Sequence, residues 1–287
     1  MVETPPLPAA LRELARQALA EDVGRGDVTS RLTVPEDALA VGRFVARGEV
    51  CVSGLDAARA VFHESSPRLR FTDHAGEGEV LPAGSVLAEV EGDARSVLAA
   101  ERVALNLLMR LSGIATLTRR YVAAVEGTGA RVTDTRKTTP GLRLLEKRAV
   151  RAGGGTNHRA GLDDGVLIKD NHLALAGGVA EAVRRARGAA PHLLKIEVEV
   201  ESQEALREAL RAGADAVLLD NMSPGEVRQA VEAARRTHPG TVIEVSGGVS
   251  FETVRAYAAA GPDLVSVGAL THSAPAADIG LDMEATQ

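Results

Sequence analysis

The stretch DAVLLDN, residues 215–221, is a short apolar run that ends in a carboxylate and an amide. Beyond residue 130 the same pattern recurs, and stretches rich in Ala, Arg and Glu with helical spacing separate the runs. The strand candidates are ARVTDT (130–135), GVLIKD (165–170), HLLKIEVEV (192–200), DAVLLDN (215–221), TVIEVSGG (241–248) and DLVSVGAL (263–270). Spacings of roughly 22 to 34 residues suit one strand plus one helix of a β/α barrel. Six units predict a barrel with fewer than eight strands, or one completed from elsewhere; an open doubly wound sheet is the alternative.

The first part of the chain has a different pattern. Residues 7–20 have apolar residues at helical spacing, and residues 21–30 read as a loop rich in turn residues. Short β-like runs broken by Gly, Pro and Asp follow over residues 41–92. A long helical pattern begins near Ser96. Because this first part differs from the regular strand and helix pattern beyond residue 130, the chain is expected to form two domains.

Composition excludes several classes of protein. The chain has 287 residues, a net charge of −6 and only 2% aromatic residues, which argues against nucleic-acid binding. Its start lacks the features of a secretory signal, and no run of 18 apolar residues predicts a membrane helix. The single cysteine, Cys51, is compatible with a reducing cytoplasm.

Cations gather at the ends of the first two strand candidates. The segment TDTRKTTPG (133–141) places Arg136 beside Lys137, and Lys169 ends the next strand. Between residues 131 and 172 nine Lys and Arg face five Asp and Glu, an excess of +4 in an acidic chain. We expect these three side chains, and His158 in its glycine-flanked loop, to contact an anion. A helical run in the same segment reads instead as a solvated face; its cations are Arg143, Lys147, Arg148 and Arg151.

Acidic and glycine-rich ends follow on later strands. Glu197, Glu199 and Glu201 alternate along one strand and so share a face, and Asp220 ends the next strand. Glu199 and Asp220 can hold Mg²⁺ or accept ribose hydroxyls, or they can pair with Lys169 or Lys195 in a structural network. SGGVS (246–250) and VGALT (267–271) have the glycine-rich character of a phosphate loop. Together these ends predict a phosphorylated sugar beside a carboxylated acceptor.

The longest informative block, residues 133–172, resembles the quinolinate phosphoribosyltransferase family. The resemblance extends over nearly the whole chain, in the segments EDVGRGDVTS (21–30), ERVALNLLMRLSGIAT (101–116), IEVEVES (196–202), LLDNMSP (218–224), EVSGGVS (244–250) and VSVGALTHSAPAADIGLDM (265–283). It implies an α/β fold with an N-terminal α/β sandwich, residues 1–114 joined by the tail 271–287. An incomplete, six- or seven-stranded β/α barrel would span residues 115–270.

The resemblance also implies an activity. Family members transfer phosphoribosyl from phosphoribosyl pyrophosphate to quinolinate with Mg²⁺ and lose carbon dioxide, which gives nicotinate mononucleotide for NAD synthesis. They work as homodimers whose active site is shared between subunits, and a cytoplasmic location is expected here.

Carried over by motif, the substrate-binding residues would be Arg102, Thr135, Arg136, Lys137, His158, Arg159, Lys169, Glu199, Asp220, Ser246, Gly247, Gly248, Val267, Gly268 and Ala269. Arg102 would reach in from the partner subunit, although by itself it reads as part of the polar stripe of an amphipathic helix. Lys137, Glu199 and Asp220 would be catalytic, and the two carboxylates would hold the metal.

Three other functions remain open at this point. Barrel-strand lysines such as Lys169 or Lys195 can form imines, so a Schiff-base lyase is one alternative. A paralogue associated with molybdenum transport is a second, and a non-catalytic sensor of phosphorylated sugars is a third.

Overall fold

The computed structural model describes residues 8–286 and divides the chain into two compact units. One unit comprises the described residues up to Leu117 together with those from Ala274 onward, and the other runs from Thr118 to Ser273. The domain boundaries expected from the sequence, after residues 114 and 270, stay a prediction. No described helix combines the length and the apolar character that a membrane crossing needs.

The first unit is built on an antiparallel sheet. Its helices are α1 (Ala9–Val23), α2 (Val28–Thr33), α3 (Leu55–Ser65) and α4 (Ala94–Ala124), the last of which continues past the unit's end at Leu117. Its strands are β1 (Leu39–Ala46), β2 (Val50–Cys51), β3 (Arg70–Asp73), β4 (Val80–Leu81), β5 (Val86–Asp93) and β12 (Ile279–Thr286). The main sheet has the order β12-β1-β5-β3, and β2 pairs with β4. The C-terminal strand β12 therefore completes a sheet whose other strands come from the start of the chain.

The segment 21–30 departs from the loop expected from the sequence, because α1 extends to Val23. Residues 28–30 begin helix α2 rather than a loop, because the Asp27 carboxylate accepts a 3.0 Å bond from the Ser30 N–H and caps the helix. Aromatic residues are scarce, yet three of the four phenylalanines cluster in this core: Phe44 and Phe62 meet edge to face at 5.8 Å, and Phe71 packs against both.

The second unit is a parallel sheet surrounded by helices. Its strands are β6 (Arg131–Thr133), β7 (Val166–Ile168), β8 (Ile196–Val200), β9 (Ala216–Asp220), β10 (Val242–Ser246) and β11 (Leu264–Ser266). Its helices, after the end of α4, are α5 (Arg143–Ala152), α6 (Asp170–Ala176), α7 (Val179–Ala189), α8 (Gln203–Arg211), α9 (Pro224–Thr237), α10 (Val254–Ala258) and α11 (Ala269–His272). All six predicted strands are present, and the incomplete β/α barrel is confirmed.

Strand order separates the barrel from the doubly wound alternative. The six strands lie in the order β6-β11-β10-β9-β8-β7, so β7 to β11 follow one another in space and the first strand lies beside the last. A doubly wound sheet would reverse its order at a switch point. The ladder between β6 and β7 is missing, and the segment before β7 contributes a single parallel bridge between Thr133 and Thr156. The barrel is therefore open along this one seam.

Alternation along the strands sends polar side chains inward. Val217 and Leu219 of β9 belong to the core that the strands share with the surrounding helices. Leu218 and Asp220 of the same strand line the central cavity instead. The other strands follow the same rule, so the polar residues at their carboxyl ends meet above the centre of the barrel.

Candidate active site

A cavity of about 770 Å³ opens at the carboxyl ends of the barrel strands. Its lining contains cations, carboxylates and glycines from all six strands or the loops that follow or precede them. The residues are Thr135, Arg136, Lys137, His158, Arg159, Leu167, Lys169, Glu199, Leu218, Asp220, Asn221, Glu244, Ser246, Gly247, Gly248, Val249, Ser266, Gly268, Ala269 and His272. The size suits a small bisubstrate site rather than a single ion.

Arg136 and Arg159 form a cationic wall of the cavity. The Nε atoms of both guanidinium groups are buried and have no hydrogen-bond partner. Burial and the nearby Arg136 charge lower the pKa of Arg159, so the two cations destabilise each other when no anion lies between them. Buried donors without partners are rare and costly, and a planar anion such as a carboxylate would satisfy both.

A buried ion pair supports this wall from below. Lys147 Nζ donates to Asp134 Oδ1 at 2.5 Å, and the two side chains are only 5% and 0% exposed. Asp134 also accepts bonds from Asn157 Nδ2 and from the backbone N–H of His158, at 2.6 and 2.9 Å. These bonds tie the loop that carries His158 and Arg159 to the end of β6.

The interpretation of the α5 cations as a solvated face is therefore wrong for Lys147. Helical periodicity places Lys147 on the same side as the buried Val150, and its charge is compensated inside the protein. Arg143 is half-buried and donates to the Thr138 hydroxyl at 2.9 Å and to the Ala160 carbonyl at 3.1 Å. Arg148 and Arg151 are exposed, as the interpretation requires.

The carboxylates Glu199 and Asp220 lie on neighbouring strands at the top of the cavity. Lys169 Nζ donates to Glu199 Oε2 at 2.6 Å, and Asn221 Nδ2 donates to Asp220 Oδ2 at 2.7 Å. Each carboxylate thus uses one oxygen for a neighbouring side chain, while both remain part of the cavity wall. Lys169 Nζ is engaged in this ion pair with Glu199, which does not favour its use as an imine-forming nucleophile.

Two glycine loops form the opposite wall. Gly247 and Gly248 have φ angles of +87° and +64°, and a Cβ on Gly247 would lie 2.4 Å from Asn221 Oδ1. Within residues 8–286 the backbone N–H groups of Gly247, Gly248, Gly268 and Ala269 form no hydrogen bond. The Lys137 side chain passes close to Gly268, since a Cβ there would lie 3.2 Å from Lys137 Cδ. Free N–H groups beside a lysine are suited to phosphate oxygens.

Below the mouth of the cavity lies a polar layer in which His158 and Glu197 meet two residues that the sequence reading did not single out, Glu244 and Ser266. His158 Nε2 lies 3.0 Å from Glu197 Oε2 and 3.7 Å from Glu244 Oε1, and the Ser266 hydroxyl donates to Glu244. Because His158 Nδ1 accepts the Arg159 N–H at 2.7 Å, the neutral ring carries its proton on Nε2. Burial and the Glu197 charge raise the pKa of Glu244 to about 7, and the hydrogen bond to Glu197 raises the pKa of His158.

Most of the predicted site residues meet in this cavity, and two do not. Val267 is fully buried, and its N–H donates to the Thr133 carbonyl at 3.0 Å, so it is unavailable to a phosphate. Arg102 lies exposed on α4 in the first unit. Glu201 follows the end of β8 and is exposed, whereas Glu197 and Glu199 face the interior.

Sequence reasoning missed His272, Glu244 and Ser266, all of which line the cavity. Two of them carried a usable signal. Glu244 lies two residues before Ser246 on β10, and Ser266 lies two residues before Gly268, so period-two alternation places each below a predicted phosphate residue. His272 carries no comparable signal.

Comparison with known proteins assigns the fold to a family. The family model described as the C-terminal domain of quinolinate phosphoribosyl transferase matches residues 114–282, and the model of the N-terminal domain matches residues 27–112. The chain belongs to the quinolinate phosphoribosyltransferase family.

Individual members of this family match over almost their full length. The chain is 44% identical over 273 residues to a probable carboxylating nicotinate-nucleotide pyrophosphorylase of Bacillus subtilis, covering 95% of this chain and 93% of the relative. It is 45% identical over 277 residues to the Mycobacterium leprae nicotinate-nucleotide pyrophosphorylase, with 96% and 97% covered. The solved structure of the Francisella tularensis nicotinate-nucleotide pyrophosphorylase superposes with a TM-score of 0.91 at 38% identity and covers 99% of this chain and 98% of that one.

The donor set at Glu199 and Asp220 fits a magnesium ion. Mg²⁺ prefers oxygen ligands and is commonly held by one or two carboxylates plus substrate phosphates and water. Both carboxylates line the cavity, and each has an oxygen that is not bonded to its neighbouring side chain. His158, Glu197 and Glu244 also bring ligand atoms within 4.8 Å of one another. That group contains a ring nitrogen already bonded to a carboxylate, and it suits Mg²⁺ less well.

Proposed function

We propose that this protein transfers the phosphoribosyl group of phosphoribosyl pyrophosphate to quinolinate with loss of carbon dioxide, giving nicotinate mononucleotide and pyrophosphate for NAD synthesis. The observation that carries the proposal is one cavity with unpartnered buried arginine donors, a pair of carboxylates and free backbone N–H groups. These features match a pyridine dicarboxylate, a ribose and a phosphate in turn. The similarity to carboxylating nicotinate-nucleotide pyrophosphorylases supports the same reaction.

Quinolinate binding follows from the cationic wall. Arg136 and Arg159 would grip the carboxylates in two-bond contacts that satisfy their Nε donors, while His158, Lys169 and Thr135 would complete the pocket. Each charge-assisted hydrogen bond is worth about 1.5 to 3 kcal/mol, so a few of them outweigh the repulsion between the guanidinium groups. Bound in this way, the ring nitrogen would be held against the sugar carbon that it attacks.

The remaining residues would take the sugar diphosphate. Ser246, Gly247, Gly248, Gly268 and Ala269 would cradle the 5′-phosphate through hydroxyl and N–H groups, and Val267 is left out because its N–H is already bonded.

Catalysis of the transfer would then rest on charge. Lys137 would hold the pyrophosphate, and Glu199 and Asp220 would bind the ribose hydroxyls and stabilise positive charge at C1′ as the pyrophosphate leaves. Mg²⁺ held by the same two carboxylates would supply charge neutralisation for the leaving pyrophosphate.

Decarboxylation follows from the first step. The transfer leaves a positive charge on the ring nitrogen, and this charge accepts the electron pair released when the neighbouring carboxylate departs as carbon dioxide. The arginines and lysine must hold that carboxylate without over-stabilising it, because a tightly paired carboxylate would not leave.

We further propose a homodimer in which Arg102 of one subunit reaches the cavity of the other. The exposure of Arg102 on α4 and the open barrel seam support this arrangement. A cytoplasmic location remains a prediction from the single cysteine.

The first test is release of labelled carbon dioxide from carboxyl-labelled quinolinate by the purified protein with phosphoribosyl pyrophosphate and Mg²⁺. Arg136→Ala removes about two charge-assisted bonds, or about 3 to 6 kcal/mol, and should lower turnover by two to four orders of magnitude. Arg211→Ala, an exposed residue near the end of α8, is the matched control and should leave turnover unchanged. Near-wild-type turnover of Arg136→Ala contradicts the assignment.

The same assay separates the alternatives. A sensor would bind phosphoribosyl pyrophosphate without releasing carbon dioxide, and a paralogue of different specificity would ignore quinolinate. A Schiff-base lyase would be trapped by borohydride in the presence of substrate; the pairing of Lys169 with Glu199 leads us to expect no adduct.

A further inference from the structure

A second cavity, of about 460 Å³, lies at the opposite end of the barrel. Its lining includes residues at the starts of the strands, among them Arg131, Ala216, Val242 and Leu264. We call this the lower cavity and the 770 Å³ cavity at the carboxyl ends of the strands the upper cavity. Three residues line both of them: His158, Arg159 and Glu244. One layer of side chains therefore separates the substrate site from a second opening large enough for water.

The separating layer is a continuous chain of polar groups. From the lower cavity, Glu197 orients His158 through the 3.0 Å contact at Nε2, and Nε2 also lies 3.7 Å from Glu244 Oε1. Glu244 is 2% exposed and is hydrogen-bonded to the Ser266 hydroxyl, and Ser266 lines the upper cavity. The groups form a path from one cavity to the other.

The proposed reaction needs a proton at this place. When the C2–carboxyl bond breaks, carbon dioxide leaves and the electron pair stays on C2, next to the positive ring nitrogen. That carbon must gain one proton to become nicotinate mononucleotide. Substrate fills the upper cavity at this moment, so delivery from the opposite side avoids the blocked mouth.

We propose that His158, Glu244 and Ser266 form a proton relay through the floor of the active site, and that it supplies the proton that replaces the lost carboxylate. The inference rests on the proposed function. Ser266 gives its hydroxyl proton to C2 and takes one from the Glu244 carboxyl group. Glu244 is then reprotonated by water that enters from the lower cavity; the Nε2–H of His158 orients this water beside the carboxyl group, while Nδ1 keeps its bond from the Arg159 N–H. One proton enters and one is consumed in each turnover.

The surroundings of Glu244 favour a carboxyl group that holds its proton near neutral pH. Burial is the main cause of the raised pKa, and the negative charges of Glu197 and Asp134 add to it. The charged groups around Glu244 and His158 are Glu197 from β8, Asp134 after β6, Lys147 from α5 and Arg159 beside His158. A protonated Glu244 can donate to Ser266, which turns the serine hydroxyl towards the upper cavity.

Glu244→Gln tests the relay, because it keeps the shape of the side chain and removes the transferable proton. Pyrophosphate and carbon dioxide release are followed in parallel in single turnovers, from pH 6 to pH 9. Wild-type protein should release the two in equal amounts and at matching rates. In Glu244→Gln the unprotonated C2 recaptures carbon dioxide before it escapes, so we expect net carbon dioxide release to lag pyrophosphate release by at least tenfold, with the carboxylated mononucleotide accumulating. In the wild-type protein we expect the decarboxylation rate to fall above neutral pH, because Glu244 loses its proton there. In Glu244→Gln this fall should disappear.

Two further variants keep the test decisive. Ser266→Ala should produce the same lag, and it tests the relay if the glutamine variant does not fold. Val245→Ala, which removes a methyl pair from the helix-facing side of β10, controls for loosened packing and should show no lag. Equal release by Glu244→Gln and Ser266→Ala, with the wild-type pH profile, overturns the relay and leaves the proposed function standing. A wild-type protein that releases neither product overturns both.

Discussion

Breaking the buried pair under the cationic wall should destabilise the barrel strongly. Lys147→Met keeps most of the side-chain volume and leaves the Asp134 carboxylate without its cation in a site that is 0% exposed. Removing one member of a buried pair costs about 3 to 5 kcal/mol. Asp134 keeps its bonds from Asn157 and the His158 N–H, so we expect a loss near the lower end, about 3 kcal/mol.

Thermal and urea unfolding at pH 7 measure this effect. For a unit of this size, a loss of 3 kcal/mol lowers the melting temperature by roughly 6 to 12 °C. Arg151→Met, on an exposed position of the same helix, should change stability by less than about 0.5 kcal/mol. Adding Asp134→Asn to Lys147→Met removes the uncompensated charge and should recover part of the loss. A Lys147→Met variant as stable as Arg151→Met would refute the reasoning.

Three more predictions concern the loops and the floor of the site. Gly247→Ala places a Cβ 2.4 Å from Asn221 Oδ1, at a backbone φ of +87° that side chains other than glycine rarely adopt. We therefore expect the KM for phosphoribosyl pyrophosphate to rise at least tenfold. The control is Gly240→Ala, where a Cβ meets nothing within 4 Å, and it should leave this KM unchanged. The Phe251 ring meets Tyr121 edge to face at 5.3 Å, and its centroid lies 4.9 Å from the Arg120 guanidinium. Phe251→Ala should therefore lower the free energy of unfolding in urea by about 1 to 3 kcal/mol. A loss under about 0.5 kcal/mol would show that these ring contacts do not stabilise the fold. The pKa of Glu244 is raised from 4.5 to about 7 in the folded protein. The folded state therefore binds the Glu244 proton more tightly than the unfolded state does, and this stabilises the fold at low pH. As pH rises from 4.5 to about 7 the free energy of unfolding should fall by up to about 3 kcal/mol. The raised pKa of His158 acts in the same direction, and Glu244→Gln should flatten the slope of unfolding free energy against pH; an unchanged slope excludes Glu244 as its source.

Local sequence carries enough information for the strands and their polar ends. Short apolar runs, three of which end in DN, KD or SGG, predicted all six barrel strands, and parallel winding predicted that the strand ends meet. The residues that line the upper cavity, such as Arg136, Lys169 and Gly247, follow from that rule. The local backbone also explains the glycine at position 247, because φ there is positive.

The sequence by itself determined where along the chain the six barrel strands lie, which of their faces are apolar, and to which family the chain belongs. Tertiary structure alone decided that Lys147 is buried against Asp134, because the environment of a helix face depends on which loop folds over it. It also decided that Glu197, Glu244 and Ser266 share one layer with His158, because the register between neighbouring strands sets the height of each side chain. Period-two alternation specifies the face of a strand but not this register, which arises only when the strands hydrogen-bond to one another.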